Sequence, residues 1–101
     1  MKKPKFISHY LVLKDLIDGI DVREHSDSVV YLTSRIENIK MEIAKNGIEF
    51  LEDISKESKY SYYKPYILYP SEENIKRAKE LLRRYATDDV LHFLETKSRV
   101  A

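Results

Sequence analysis

The sequence has no cysteine, only two glycines and three prolines, and no long apolar run. Without cysteine the chain cannot form a disulfide, a thiolate metal site or a cysteine nucleophile. No apolar stretch approaches the roughly 20 residues of a membrane-spanning helix, and no signal-peptide pattern opens the chain. We therefore expect a cytoplasmic protein that does not contact a membrane.

Motifs for catalysis are also missing. The three histidines, His9, His25 and His92, lack the spacing of metal ligands. The chain contains no nucleophile elbow, no phosphate-binding loop and no paired-carboxylate motif. We expect no metal, no cofactor and no enzymatic activity.

What the chain does contain is charge in separate blocks. The 18 Lys and Arg nearly balance the 17 Asp and Glu, for a net charge of +1. Residues 1–14, 58–70 and 76–84 are basic, whereas residues 15–27 are acidic. Such blocks can give a near-neutral protein a basic face. The alternative is a mixed, solvated surface without a partner.

The first half of the chain predicts helices. Apolar residues recur at helical spacing from Phe6 to Ile17, and Gly19 follows as a stop signal. A short second helix is expected through residues 29–31. The next helix, residues 33–46, begins at a cap formed by Thr33 or Ser34, with Glu37 at capping-box spacing from Ser34, and ends at Asn46-Gly47. Its inward stripe comprises Ile36, Ile39, Ile43 and Ala44, and its outward face Arg35, Asn38, Glu42 and Lys45.

The pattern changes after Gly47. Residues 48–69 have strand-like composition around a polar centre, which predicts a β-hairpin, and Pro65 confines the second strand to a sheet edge. A helix over residues 71–86 follows, with Ser71 as its cap, and a last short helix opens at Thr87. Residues 96–101 are expected to be a loose tail. The fold class is therefore mainly α with a small β-hairpin.

This order of elements resembles the winged helix-turn-helix domain of small phage and mobile-element proteins. The resemblance covers about residues 6–69 and rests on Leu32-Thr33-Ser34-Arg35-Ile36, Ile39, Glu42-Ile43, Lys45-Asn46-Gly47-Ile48 and the stretch from Tyr63 to Leu68. It implies binding of double-stranded DNA, with helix 33–46 in the major groove and the hairpin on the backbone or minor groove. Residues 1–5 then form a basic N-terminal arm, residues 6–69 the winged domain and residues 70–101 a C-terminal helical extension.

The candidate DNA-binding residues follow from this arrangement. Arg35 and Asn38 have the side chains that read guanine and adenine edges. Thr33 and Ser34 can donate to a phosphate at the start of the helix. The remaining candidates, which contact phosphates near the helix end and the hairpin tip, are Lys45, Lys56, Lys59, Tyr60 and Lys64.

Two functions stay open at this point. The first is a DNA-binding protein, either a transcriptional regulator or a mobile-element accessory factor, which would be associated with the nucleoid. The alternative is a winged-helix protein-interaction module without DNA binding, since a fold does not settle function. The apolar residues of the last helix predict a homodimer through the C-terminal helices; docking within the chain, against Phe6 and Tyr10, is the alternative.

Overall fold

The computed structural model describes residues 4–20, 22, 31–32, 35–51, 56–57, 62–63 and 66–100. For residues 56–57, 62–63 and 97–100 the description covers the backbone. The elements in chain order are the helices α1 (Ile7–Ile17) and α2 (Ile36–Lys45), the strands β1 (Lys56–Glu57) and β2 (Tyr62–Tyr63), and the helices α3 (Glu72–Tyr85) and α4 (Asp88–Val100). The prediction of a mainly helical chain is confirmed.

Helix α1 lies between α2 and α3 and packs against both. Its buried face is therefore wider than one stripe and includes Ile7, Val12, Leu13 and Leu16. The helix ends as predicted, because Gly19 has the left-handed φ of 77° that glycine reaches cheaply. The expected short helix around residues 29–31 lies outside the described residues, except that Tyr31 is helical and buried.

Helix α2 buries Ile36, Ile39 and Ile43 as predicted, whereas Ala44 is exposed at the edge of that stripe. The predicted start of this helix is wrong. Arg35 occupies the N-cap position with non-helical φ and ψ, and its own side chain makes no cap hydrogen bond. Instead, the Asn38 and Ile39 N–H groups both donate to the Arg35 carbonyl, which tightens the turn. Thr33 and Ser34 lie outside the described residues.

The end of α2 is confirmed. Asn46 is the C-cap, and its side-chain amide donates to the Glu42 carbonyl at 2.9 Å. Gly47 follows with a φ of 86°. A left-handed residue directly after the C-cap redirects the chain, so the helix stops where the sequence pattern changes.

Antiparallel pairing occurs at two places in the region predicted as a hairpin. Strands β1 and β2 pair Lys56 with Tyr63, and a separate antiparallel bridge joins Phe50 to Leu68. Beside that bridge, the Leu51 N–H donates to the Ile67 carbonyl at 2.8 Å. Residues 52–55, 58–61 and 64–65 lie outside the described part, so a continuous hairpin over residues 48–69 stays a prediction.

The C-terminal helices begin at the predicted caps. Ser71 Oγ accepts from the Asn74 N–H at 3.1 Å, and Thr87 Oγ1 accepts from the Val90 N–H at 3.2 Å. The predicted tail over residues 96–101 is wrong, because α4 continues through Val100. No glycine or proline follows Thr87, so nothing in the local sequence stops the helix.

One hydrophobic core joins α1, α2 and α3. Leu13 and Leu16 of α1, Ile39 and Ile43 of α2, and Leu81 of α3 belong to the same buried cluster. Ile48 and Leu68, on either side of the strand region, complete it. The predicted winged domain and the first helix of the predicted extension thus share a core.

Candidate nucleic-acid interface

The outward face of α2 carries the candidate base-reading residues. Arg35, Asn38 and Lys45 are all exposed, whereas Ile36, Ile39 and Ile43 are buried. Arg35 and Asn38 lie close together at the start of the helix. Lys45 is ten residues from Arg35, a distance of about 15 Å along the axis at 1.5 Å per residue.

Arg35 and Asn38 line a cleft of about 390 Å³ between the beginning of α1 and the beginning of α2. Lys5 and Ser8 contribute from the α1 side. The Ser8 hydroxyl donates to the Leu32 carbonyl at 3.3 Å and thereby ties α1 to the chain that leads into α2. The complete lining is Pro4, Lys5, Ile7, Ser8, His9, Leu32, Arg35, Asn38, Ile39 and Glu42.

An imidazole–carboxylate contact crosses this cleft. His9 Nε2 of α1 binds Glu42 Oε2 of α2, and the His9 side chain is 16% exposed against 56% for Glu42. His9 Nδ1 is buried without a hydrogen-bond partner among the described residues. A proton on Nδ1 would be an unsatisfied buried donor, so the proton of the neutral ring belongs on Nε2, where it donates to the carboxylate. The contact thus holds Glu42 against α1.

Aromatic rings hold His9 in place. The His9 ring meets Phe6 edge-on at 5.7 Å and lies 5.2 Å from the ring of Tyr85 in α3. Burial raises the pKa of the Tyr85 hydroxyl, the Glu42 carboxylate raises it further, and Arg84 opposes both. The start of α1, the middle of α2 and the end of α3 therefore meet at one cluster.

Two further contacts fix the base of the strand region against the helices. The Lys40 ammonium of α2 lies 5.0 Å from the Phe50 ring centre and 5.6 Å from that of Tyr66. On the other side, the buried Asn74 of α3 accepts from the Glu49 N–H at 2.7 Å and donates to the Glu49 and Tyr69 carbonyls. The chain that leads into the paired strands is thus bound to both α2 and α3.

Most predicted residues of the hairpin tip and the helix cap fall outside this description. Thr33, Ser34, Lys59, Tyr60 and Lys64 are not among the described residues. The backbone of Lys56 forms part of β1, and its side chain is not described. Their roles stay predictions.

Lys5, Ser8 and His9 are cleft residues that the sequence reasoning missed. His9 and Glu42 are 33 positions apart, so no local spacing connects them. Lys5 belongs to the basic N-terminal block, and that block was the one available signal for its role.

A second charged surface lies on the outward side of α3. Lys76, Lys79 and Arg83 line a groove of about 450 Å³ there, but Glu72 and Glu80 line the same groove. Nearby, Arg77 pairs with Glu73 at 2.6 Å. Acids therefore interleave with the cations of this helix, so this surface is less suited to a polyanion than the cleft is.

Within the described ranges, no helix is both long and apolar enough to cross a membrane. The same residues contain no group of three or more His, Cys, Asp or Glu side chains that could hold a metal ion. Comparison of the chain with protein-family models, with curated proteins and with solved structures found no match.

Proposed function

We propose that this protein binds double-stranded DNA through α2, as a transcriptional regulator or a mobile-element accessory factor. One observation carries the proposal: α2 buries its three isoleucines and presents Arg35, Asn38 and Lys45 to solvent. An arginine and an asparagine near the start of an exposed helix are the side chains that bind guanine and adenine edges in the major groove.

The contact between His9 and Glu42 supports this proposal. A carboxylate on a recognition helix repels phosphates, and Glu42 lies on the same face as Asn38 and Lys45. The Glu42 carboxylate accepts a hydrogen bond from the imidazole of α1, so one of its oxygens is occupied within the protein. On the outward face of α2, Arg35 and Lys45 then outnumber this acid.

The anchored base of the strand region also fits this function. Lys40 of α2 and Asn74 of α3 contact the chain next to the Phe50–Leu68 bridge, so the base of the strand region is fixed against both helices. In the proposed complex the hairpin lies against the DNA backbone, with Lys56, Lys59, Tyr60 and Lys64 as its contact residues.

One observation favours the second candidate, a protein-interaction module. Met41, between Lys40 and Glu42 on α2, is 56% exposed. An exposed methionine beside an acid suits a protein partner better than a phosphate backbone, since methionine is typical of adaptable binding surfaces. DNA binding should depend on Lys45 and not on Met41. Binding of a protein partner should depend on Met41 and not on Lys45.

Fluorescence anisotropy with a labelled random-sequence duplex, titrated with salt, tests the DNA function. For a protein with about three phosphate contacts, log K against log salt has a slope near −3. We expect Lys45→Gln to make this slope shallower by about one and Met41→Ser to leave it unchanged. Absence of salt-dependent binding in the unmodified chain would exclude DNA as the main partner and favour the interaction module.

A further inference from the structure

We propose that the cleft between the starts of α1 and α2 binds a phosphate of the DNA backbone, with Lys5 as its principal charged partner. This inference rests on the proposed function and adds a contact from the first helix to the face formed by α2. The cleft would hold the phosphate that flanks the base pair read by Arg35 and Asn38.

The charges that line the cleft favour an anion. Lys5, just before α1, and Arg35, at the start of α2, both line it, and Glu42 is the one acid among the lining residues. The Glu42 carboxylate accepts a hydrogen bond from His9, so one of its oxygens is directed to α1. Two cations against one acid leave the lining with a net positive charge.

Lys5 is held at the edge of this space. It is exposed, and its ammonium lies 5.4 Å from the centre of the Phe6 ring. A cation over an aromatic face keeps its charge and its donors available on the side away from the ring. Phe6 in turn packs against Tyr85, with 5.3 Å between the ring centres. The position of Lys5 thus depends on the core.

Neutral donors complete the site. Asn38 contributes a side-chain amide from α2. The N-cap residues of α1 and α2, Phe6 and Arg35, make no side-chain cap hydrogen bond, and the Ile7 and Asn38 N–H groups donate to the Pro4 and Arg35 carbonyls. The volume of about 390 Å³ equals roughly a dozen waters at about 30 Å³ each, which is ample for one phosphodiester group.

Lys5→Gln tests the site, and Lys14→Gln is its matched control. Lys14 is exposed on the other end of α1 and pairs with Asp18 at 3.5 Å, away from the cleft. In the salt-titrated anisotropy experiment we expect Lys5→Gln to weaken DNA binding about threefold to tenfold at physiological salt and to make the salt slope shallower by about one. Lys14→Gln should keep the unmodified slope.

Two results in this experiment overturn the inference while leaving the DNA function intact. The first is unchanged binding by Lys5→Gln in a chain that binds DNA. The second is an equal loss with both variants, which would indicate a diffuse field rather than a site. If the unmodified chain does not bind DNA, the proposed function fails instead.

An NMR titration with inorganic phosphate separates the site from its DNA context. We expect the backbone amides of residues 7–9 and 36–38 to shift in the unmodified chain and in Lys14→Gln, but not in Lys5→Gln. If these amides shifted on addition of phosphate but the unmodified chain did not bind DNA, the cleft would be a site for a free phosphate group. No shift at these amides, together with unchanged DNA binding by Lys5→Gln, would refute a phosphate site.

Discussion

Arg35 is the residue with the most direct link between position and proposed function. We expect Arg35→Ala to lower the affinity for a selected DNA site by about 1–3 kcal/mol, because a bidentate contact with guanine is lost. The measurement is a titration of the selected duplex and of a duplex with that base pair changed. If Arg35→Ala lost affinity for both duplexes by the same factor, Arg35 would contact a phosphate and would not read a base.

Ionisation of the Tyr85 hydroxyl makes the free energy of unfolding depend on pH in the alkaline range. Its pKa is raised above the ordinary 10.0 by burial and by the Glu42 carboxylate. The folded state thus holds this proton more tightly than the unfolded chain does. The stabilisation is fully present below pH 10 and is lost as the pH rises through the folded-state pKa.

We therefore expect Tyr85→Phe to lose less stability between pH 8 and pH 11 than the unmodified chain. Urea unfolding at both pH values measures the difference, and Tyr69→Phe, at a tyrosine that is 45% exposed, is the matched control. If Tyr85→Phe and the unmodified chain lost the same free energy of unfolding between these pH values, the pKa of this hydroxyl would not differ between the folded and unfolded states.

At the scale of elements, Asn74 joins α3 to the base of the strand region. It is 2% exposed and makes three hydrogen bonds to the backbone of Glu49 and Tyr69. Asn74→Ala would leave the Glu49 N–H and the Tyr69 carbonyl without this partner in a partly buried place. We expect a loss of about 2–4 kcal/mol in the free energy of unfolding.

Denaturant unfolding measures this loss, and Asn38→Ala is the matched control because Asn38 is an exposed asparagine on a helix. A surface substitution of that kind should stay within about 0.5 kcal/mol. If the two variants were equally stable, the bonds of Asn74 would not hold α3 to the strand region.

At the scale of the whole molecule, α4 exposes a large apolar side chain. Val90 is buried, but Leu91 of the same helix is 46% exposed. The prediction of a homodimer through the C-terminal helices therefore remains our proposal for this face. The end of α3 contacts Phe6 through Tyr85, so docking within the chain covers α3. It leaves Leu91 of α4 exposed.

Sedimentation of the full chain and of Leu91→Ser tests the dimer. We expect the unmodified chain to sediment as a dimer and the variant to shift toward monomer, because the substitution removes apolar area from the interface. Glu95→Ser, on the same helix, controls for a general effect of substitution on α4. A monomeric unmodified chain would contradict the proposal.

Local sequence determined much of this fold. Gly19 and Asn46-Gly47 end α1 and α2 where predicted, and Ser71 and Thr87 cap α3 and α4. These signals act within about four residues, which is the range of a helical turn and its caps. The buried isoleucines of α2 were equally predictable, because a spacing of three and four residues places them on one face.

Tertiary structure decided the rest. His9 meets Glu42 across 33 positions, and Asn74 meets Glu49 across 25, so both contacts depend on how the helices pack. The cleft that brings Lys5 to Arg35 exists because α1 packs against α2, and neither helix alone predicts it. Sequence determined the ends of α1 and α2 and the starts of α3 and α4, since those signals are local. Packing across the shared core determined which charges meet, since their partners are distant in the chain.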